Sequence, residues 1–339
     1  MFNIFNGNAF DTTALTDAIN VVPNSYGRLN ELGLFTFRGV TKTSVAVEFQ
    51  EGVLHLLQTA QRGSPDATQG TRGRRHLKSF TIPHIPHEDV VLPEDVQGVR
   101  RFGSEDQVLG FQEVINDRLL NMANKHFITW EYHRAGAICG EVIDANGATL
   151  LDLFEEFGVT EKVVNFDFAG GNHVHDAIME ILRHTEDSLL GEVSTGIRAL
   201  CSPEFFDALI THPEVEEAYK FTAASQEVMR RDLRRGFEHK GIIFEEYRGR
   251  ATYRAADGST VTRRFIPAGE ARFVPMGTRD TFRHYGAPAD FNETVNTVGL
   301  PLYAKQKTMD FDRGVKLHTQ SNPLFLCTRP ALLVRGVSS

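Results

Sequence analysis

The sequence predicts an α+β protein on three observations: one long run of apolar residues at helical spacing, several short alternating runs, and turn pairs between strands. The helical run carries Val108, Phe111, Ile115, Leu119 and Met122 on one face. Alternation is clearest at Val45, Val47 and Phe49, and again at Phe80 and Ile82. Asn146-Gly147 and Asp257-Gly258 sit where hairpins turn, because those residue types tolerate positive φ.

Taken in order, residues 1–43 read as an arm. Phe2, Ile4, Phe5 and Phe10 are separated by asparagines and a glycine without a clear period, and a short helix over 14–21 is broken by Pro23-Asn24. Apolar residues with no core of their own call for another surface to lie on. Residues 44–92 read as a long two-stranded excursion. Its outer end, 61–75, is polar, glycine-rich and basic, and a loop of that length inside a compact domain is usually functional. Arg62, Arg72, Arg74, Arg75 and Lys78 stand there against the single acid Asp66. Pro83, Pro86 and Pro93 keep the returning strand from a central position.

Ser104-Glu105-Asp106-Gln107 has the form of a capping box, with two acids favourable to the helix dipole. The helix it opens, about 105–135, would be roughly 45 Å long, a spine for the molecule. A hairpin follows, from Cys139 through the turn 144–147 to Phe154. Residues 163–168 read as a strand and 173–190 as a helix with Asn172 as its cap. Ser202-Pro203 marks another helix start. Strands are expected near 241–247, 251–256, 259–266 and 271–276, and strand texture continues over 300–335.

The bulk numbers limit the function. The chain has 339 residues, 41% hydrophobic and 24% charged, enough for a large core and two subdomains. A net charge of -8 disfavours wrapping on nucleic acid, so any DNA contact should be weak and local. Cys139, Cys201 and Cys327 match no zinc or redox spacing and read as reduced core thiols made in a cytoplasm. There is no membrane-length apolar run and no signal peptide at the start. His84, His87, Glu88 and Asp89 raise a metal site, and with it a metal-dependent hydrolase. A Pro-flanked extended stretch does not bring two imidazoles to one face as a helical His-Glu-x-x-His does, so no metal, cofactor or catalytic residue is expected.

Four segments carry a family resemblance: His84-Ile85-Pro86-His87-Glu88-Asp89 onward to Asp95, then Ala271-Arg272-Phe273-Val274-Pro275-Met276-Gly277, then Arg283-His284-Tyr285-Gly286-Ala287-Pro288, then Gln320-Ser321-Asn322-Pro323-Leu324. In this order they resemble the major capsid protein E family of lambda-like tailed phages, whose capsid fold was first described for phage Hong Kong-ninety-seven. The resemblance implies an N-terminal arm at 1–43 and an E-loop at 44–92. It implies a P-domain at 93–195 plus about 300–321, and an A-domain at 196–299 plus about 322–339. It further implies hexamers and pentamers closing into an icosahedral shell around double-stranded DNA, with scaffolding, portal and decoration proteins as partners. An encapsulin-like compartment of the same fold is the alternative. Two departures stand out. No long scaffolding segment precedes the arm, so scaffold is expected from elsewhere or from a removed segment. No cross-linking motif surrounds Lys78, so no covalent cross-link is expected. The basic E-loop end is then expected to orient on an acidic neighbouring subunit.

Overall fold

The computed structural model describes residues 27–50, 75–97, 110–168, 174–220, 232–254 and 258–338. A short helix α1 (Arg28–Glu31) leads into four strands: β1 (Thr36–Gly39), β2 (Ser44–Gln50), β3 (Arg75–Thr81) and β4 (Ile85–Val91). The long helix α2 (Phe111–Cys139) follows, and 29 residues give it a length of about 44 Å.

The ends of α2 differ from expectation. Its N-cap is Gly110, and the Glu113 carboxylate accepts from the Gly110 N–H at 3.5 Å, the reciprocal half of a capping box. Ser104–Gln107 lies outside the described residues. At the other end Cys139, expected to open a strand, is the last helical residue. The helix runs through Gly136 and stops at Gly140, whose φ of 89° ends it in left-handed backbone. A Cβ at 140 would also overlap the Phe154 ring. Gly140→Ala is therefore expected to lower stability by about 2 kcal/mol or more, read from the urea midpoint of the soluble subunit. Of residues 130–138 all but Tyr132 and Gly136 are buried, so this end of the helix is surrounded on most sides.

The hairpin β5 (Glu141–Ile143) and β6 (Thr149–Asp152) turns at 144–147 as the Asn-Gly pair requires, with Gly147 at φ 92°. It is followed by α3 (Leu153–Phe157), β7 (Lys162–Phe166) and α4 (Val174–Leu189). Then come β8 (Gly196–Cys201), α5 (Pro203–Thr211), α6 (Pro213–Lys220), β9 (Phe237–His239), β10 (Ile242–Glu246), β11 (Arg250–Arg254), β12 (Thr260–Arg264) and β13 (Glu270–Met276). Helix α5 starts as its sequence dictates: the Ser202 hydroxyl accepts from the Phe205 N–H, and Pro203 occupies the first turn. The last strands are β14 (Phe282–Gly286), β15 (Tyr303–Thr308), β16 (Val315–Ser321), β17 (Pro323–Cys327) and β18 (Val334–Ser338).

The largest sheet has the order β7-β18-β13-β8-β10-β9. Its core is aromatic: Phe166, Phe205, Phe206, Phe244 and Phe273 are all buried, with Phe166 stacked on Phe273 at 5.9 Å. Strand β7 and helix α4 belong to this body, although the sequence reading grouped 93–195 with the long helix. The register sets Arg272 directly opposite Arg335, a like-charge pair that would repel. Glu161 lies 2.8 Å from Arg272 and 2.9 Å from Arg335, and Glu270 also pairs with Arg272, so the charges balance.

The second body is built on α2. A sheet of order β15-β16-β4 packs on the first half of the helix, with Val91, Val315 and Leu317 buried against Ile115, Met122 and Phe127. Strand β4 is its edge, which is where Pro86 is tolerated. A third sheet, β1-β14-β17, and the β2–β3 pair pack beside the second half of α2.

Glu131 on α2 ties the bodies together. It is fully buried, accepts from the Leu29 N–H at 2.7 Å and from the Tyr247 hydroxyl at 3.0 Å, and faces Arg134 at 3.5 Å. Burial pushes its carboxyl pKa up, opposed by the Leu29 amide and Arg134. Arg134 lies over the Phe325 ring at 5.1 Å. Nearby, Glu245 on β10 pairs with Arg28 at 2.6 Å and also with Arg198, so α1 is held to both bodies by charge.

Candidate inter-subunit surface

The excursion expected at 44–92 divides in two. Strands β2 and β3 pair antiparallel from Ser44↔Thr81 outward to Gln50↔Arg75, and 51–74 lies outside the described residues. The returning segment β4 instead joins the body through β16. The base of the β2–β3 ribbon is not borrowed from a neighbour. Val45, Val47, Phe80 and Ile82 are buried in the chain's own core, and Phe80 stacks on Phe157 of α3 at 5.8 Å. That burial anchors a two-stranded ribbon that would be marginal alone.

Of the cationic residues assigned to the tip, Arg62, Arg72 and Arg74 lie outside the described residues. Arg75 is the outermost paired residue of β3. Lys78, counted with the tip in the sequence reading, stands nearer the base opposite Val47. Its ammonium is bonded to Glu156 of the same chain at 3.0 Å. Beside it Leu77 is 70% exposed, an apolar side chain turned outward on the same strand.

The four residues that raised a metal site go to different partners. His84 Nδ1 lies 3.0 Å from Asn322 Oδ1, and His87 Nε2 lies 3.0 Å from Lys125 Nζ. Glu88 faces His318 at 3.2 Å and Asp89 faces Arg118 at 3.5 Å. Alternation along β4 causes the separation: His87 and Asp89 turn toward α2, while Glu88 turns away. Among the described residues no group of three or more His, Cys, Asp and Glu is placed to hold a metal. No helix among the described residues is long and apolar enough to cross a membrane.

Buried histidines behind this surface carry no sequence signal. His126 is bonded through Nδ1 to Ser321 Oγ at 2.9 Å and through Nε2 to Thr319 Oγ1 at 3.1 Å. Burial lowers its pKa to about 3 and that of His133 to about 4. His284 is stacked on Phe325 at 4.2 Å, and burial holds its pKa well below the usual value. Cys201 and Cys327 are buried, and burial raises both thiol pKa values, that of Cys327 to about 12, so neither is poised as a nucleophile.

A family model described as phage major capsid protein E matches residues 11–338. A relative named major capsid protein, from Pseudomonas phage KPP10, is 32% identical over 345 residues, covering 97% of each chain. Another of that name, from Salmonella phage Felix O1 (isolate Felix O1-VT1), is 28% identical and covers 94% of each. Among solved structures, the capsid of cyanophage P-SCSP1u superposes with a TM-score of 0.53 over 90% of this chain and 86% of that one, at 11% identity. That likeness fixes the fold: the α+β phage capsid architecture.

Proposed function

This chain belongs to the phage major capsid protein E family, and from that premise we propose how it builds a shell. It is a structural subunit of the virion and not an enzyme. Copies associate as hexamers and pentamers that close into an icosahedral head around the double-stranded DNA of a tailed phage. Assembly takes place in the host cytoplasm with scaffolding and portal proteins, and a decoration protein may be added outside only where its own partner surface exists. The observation that carries this reading is the family match along 11–338, which spans every element described above.

In this reading 1–43 is the arm and 44–81 the E-loop, with β4 as the strand that returns to the body. The P-domain comprises α2, the β5–β6 hairpin and the β15-β16-β4 sheet. The A-domain comprises the six-stranded sheet and its helices, and β7 and α4 place its first boundary near residue 160. The ribbon carries Arg62, Arg72, Arg74 and Arg75 outward to a neighbouring subunit. Lys78 steadies the base. With a net charge of -8, each subunit offers an acidic surface to that basic end and little attraction to packaged DNA.

The test is expression with the scaffolding partner, followed by electron microscopy. Closed particles are expected, and a chain that stays monomeric with its scaffold present overturns the reading. Changing Arg72, Arg74 and Arg75 together to Glu is expected to cut particle yield by about tenfold or more, because a weak contact is repeated at every subunit. The unfolding midpoint of the soluble subunit should not move. Equal particle yield would remove the charged end from the interface.

A further inference from the structure

The hairpin between β15 and β16 ends in a conformation that makes little sense for an isolated subunit. Phe311 is 90% exposed and has φ 62°, and Asp312 beside it has φ 53°. Left-handed backbone is unfavourable for a residue with a Cβ, and most of all for one as bulky as phenylalanine. The turn is nonetheless held: the Asp312 N–H donates to Met309 O at 3.1 Å, and the Met309 N–H donates to Gly314 O at 2.9 Å. The chain thus holds an aromatic ring outward in a strained backbone, where it gains nothing from burial in its own core. Strain kept at a surface position signals a role there.

A second, independent observation concerns charge. Lys307 and Lys316 face each other directly across the hairpin and both are exposed, a like-charge pair that destabilises the ribbon. Asp310, Asp312 and Arg313 stand exposed at the apex. None of these five charged side chains has an ion-pair partner among the described residues. Arg313 only lies over its own Phe311 ring, at 5.5 Å. The apex is therefore acidic beside the ring and the shoulders just behind it are basic, so the patch carries its own complement. A symmetric contact uses one patch on both partners, and self-complementarity is what it requires.

Resting on the capsid reading above, we infer that the β15–β16 end is an adhesive tip that meets the same tip of a second copy. The Phe311 rings bury against each other, and Asp310 and Asp312 of one copy lie against Lys307 and Lys316 of the other. The contact joins subunits through identical surfaces, in contrast to the unlike surfaces that a basic ribbon end and an acidic neighbour bring together. Burial of the ring offsets the backbone strain, and crossed charges relieve the lysine pair.

The experiment is a charge swap in the full chain, expressed with its scaffolding partner and read as particle yield by sedimentation and electron microscopy. Asp310→Lys with Asp312→Lys is expected to lower yield about tenfold, as is Lys307→Glu with Lys316→Glu. The four changes together should restore it, because each tip again meets its complement. Phe311→Ala should also lower yield, while the unfolding midpoint of the soluble subunit stays or rises as strain is relieved. Phe311→Cys, oxidised in assembled particles, should give covalent dimers joined at position 311. Wild-type chain that forms no shells overturns the capsid reading and the tip contact with it. Shells that form equally well from every variant, or a four-fold change that fails to rescue, overturn the tip contact alone. A cross-link from 311 to another protein, or to another position of this chain, overturns it in favour of that partner.

Discussion

Replacing Glu131 with alanine is expected to cost the soluble subunit about 3–5 kcal/mol, the largest loss from any single side chain away from the aromatic core. The carboxylate is fully buried and serves three partners: the Leu29 N–H, the Tyr247 hydroxyl and Arg134. Removing it leaves a buried guanidinium without its counter-charge and two buried donors without an acceptor, and each orphan adds its own penalty. The backbone of α1 follows the same carboxylate, because Gly27 approaches it so closely that no Cβ would fit there. Loss of Glu131 should therefore release the segment before β1 as well as lower the unfolding midpoint. Glu131→Gln keeps an acceptor and the side-chain volume, so it should cost clearly less than alanine. Urea unfolding of the two variants beside the wild type decides this. A Glu131→Ala subunit within about 1 kcal/mol of wild type would mean that the three donors find other partners.

What the sequence made legible is local. The Asn146-Gly147 turn, the Ser202-Pro203 helix start and the apolar face of α2 each depend on residues within a turn or two of one another, and each stands where its pattern put it. The placement of β7 was not legible, because its partner β18 lies about 170 residues later and alternation names no partner. Glu131 reads in sequence as one more acid on a helix. Its partners are 102 and 116 residues away, and nothing near it marks the site. Lys78 was misplaced for a related reason: a basic run has no visible end until pairing shows which residues are outermost, and Glu156 draws this lysine to the base. The backbone of Phe311 could not be read either, since the residue type argues against the conformation it adopts.

Acid is expected to weaken the joint between α2 and its sheets well before it strips the surface ion pairs. In the unfolded chain His126, His133 and His284 take up a proton near pH 6.5. In the folded subunit burial holds His126 near 3, His133 near 4 and His284 well below its usual value. Between those limits the unfolded chain binds more protons, so stability rises with pH and is lost as pH falls. Their contribution is complete above about pH 7, begins to fail through 6.5, and for His133 is spent only below about 4. Each histidine has a limiting slope of about 1.4 kcal/mol per pH unit, so the three together reach about 4 kcal/mol per unit. Glu131 works in the opposite sense, because its raised pKa lets the folded subunit accept a proton before the unfolded chain does, and this offsets part of the loss. His133 separates the effect cleanly, since its buried Nε2 has no partner and a phenyl ring would strand no polar group. His133→Phe should leave stability at pH 7 nearly unchanged and gain about 2 kcal/mol over wild type at pH 5, as one proton fewer is taken up on unfolding. Guanidinium midpoints of both subunits at pH 7, 6 and 5 measure it. Parallel losses in the two would show that this imidazole already carries a proton in the fold, and that the buried histidines are not what acid attacks.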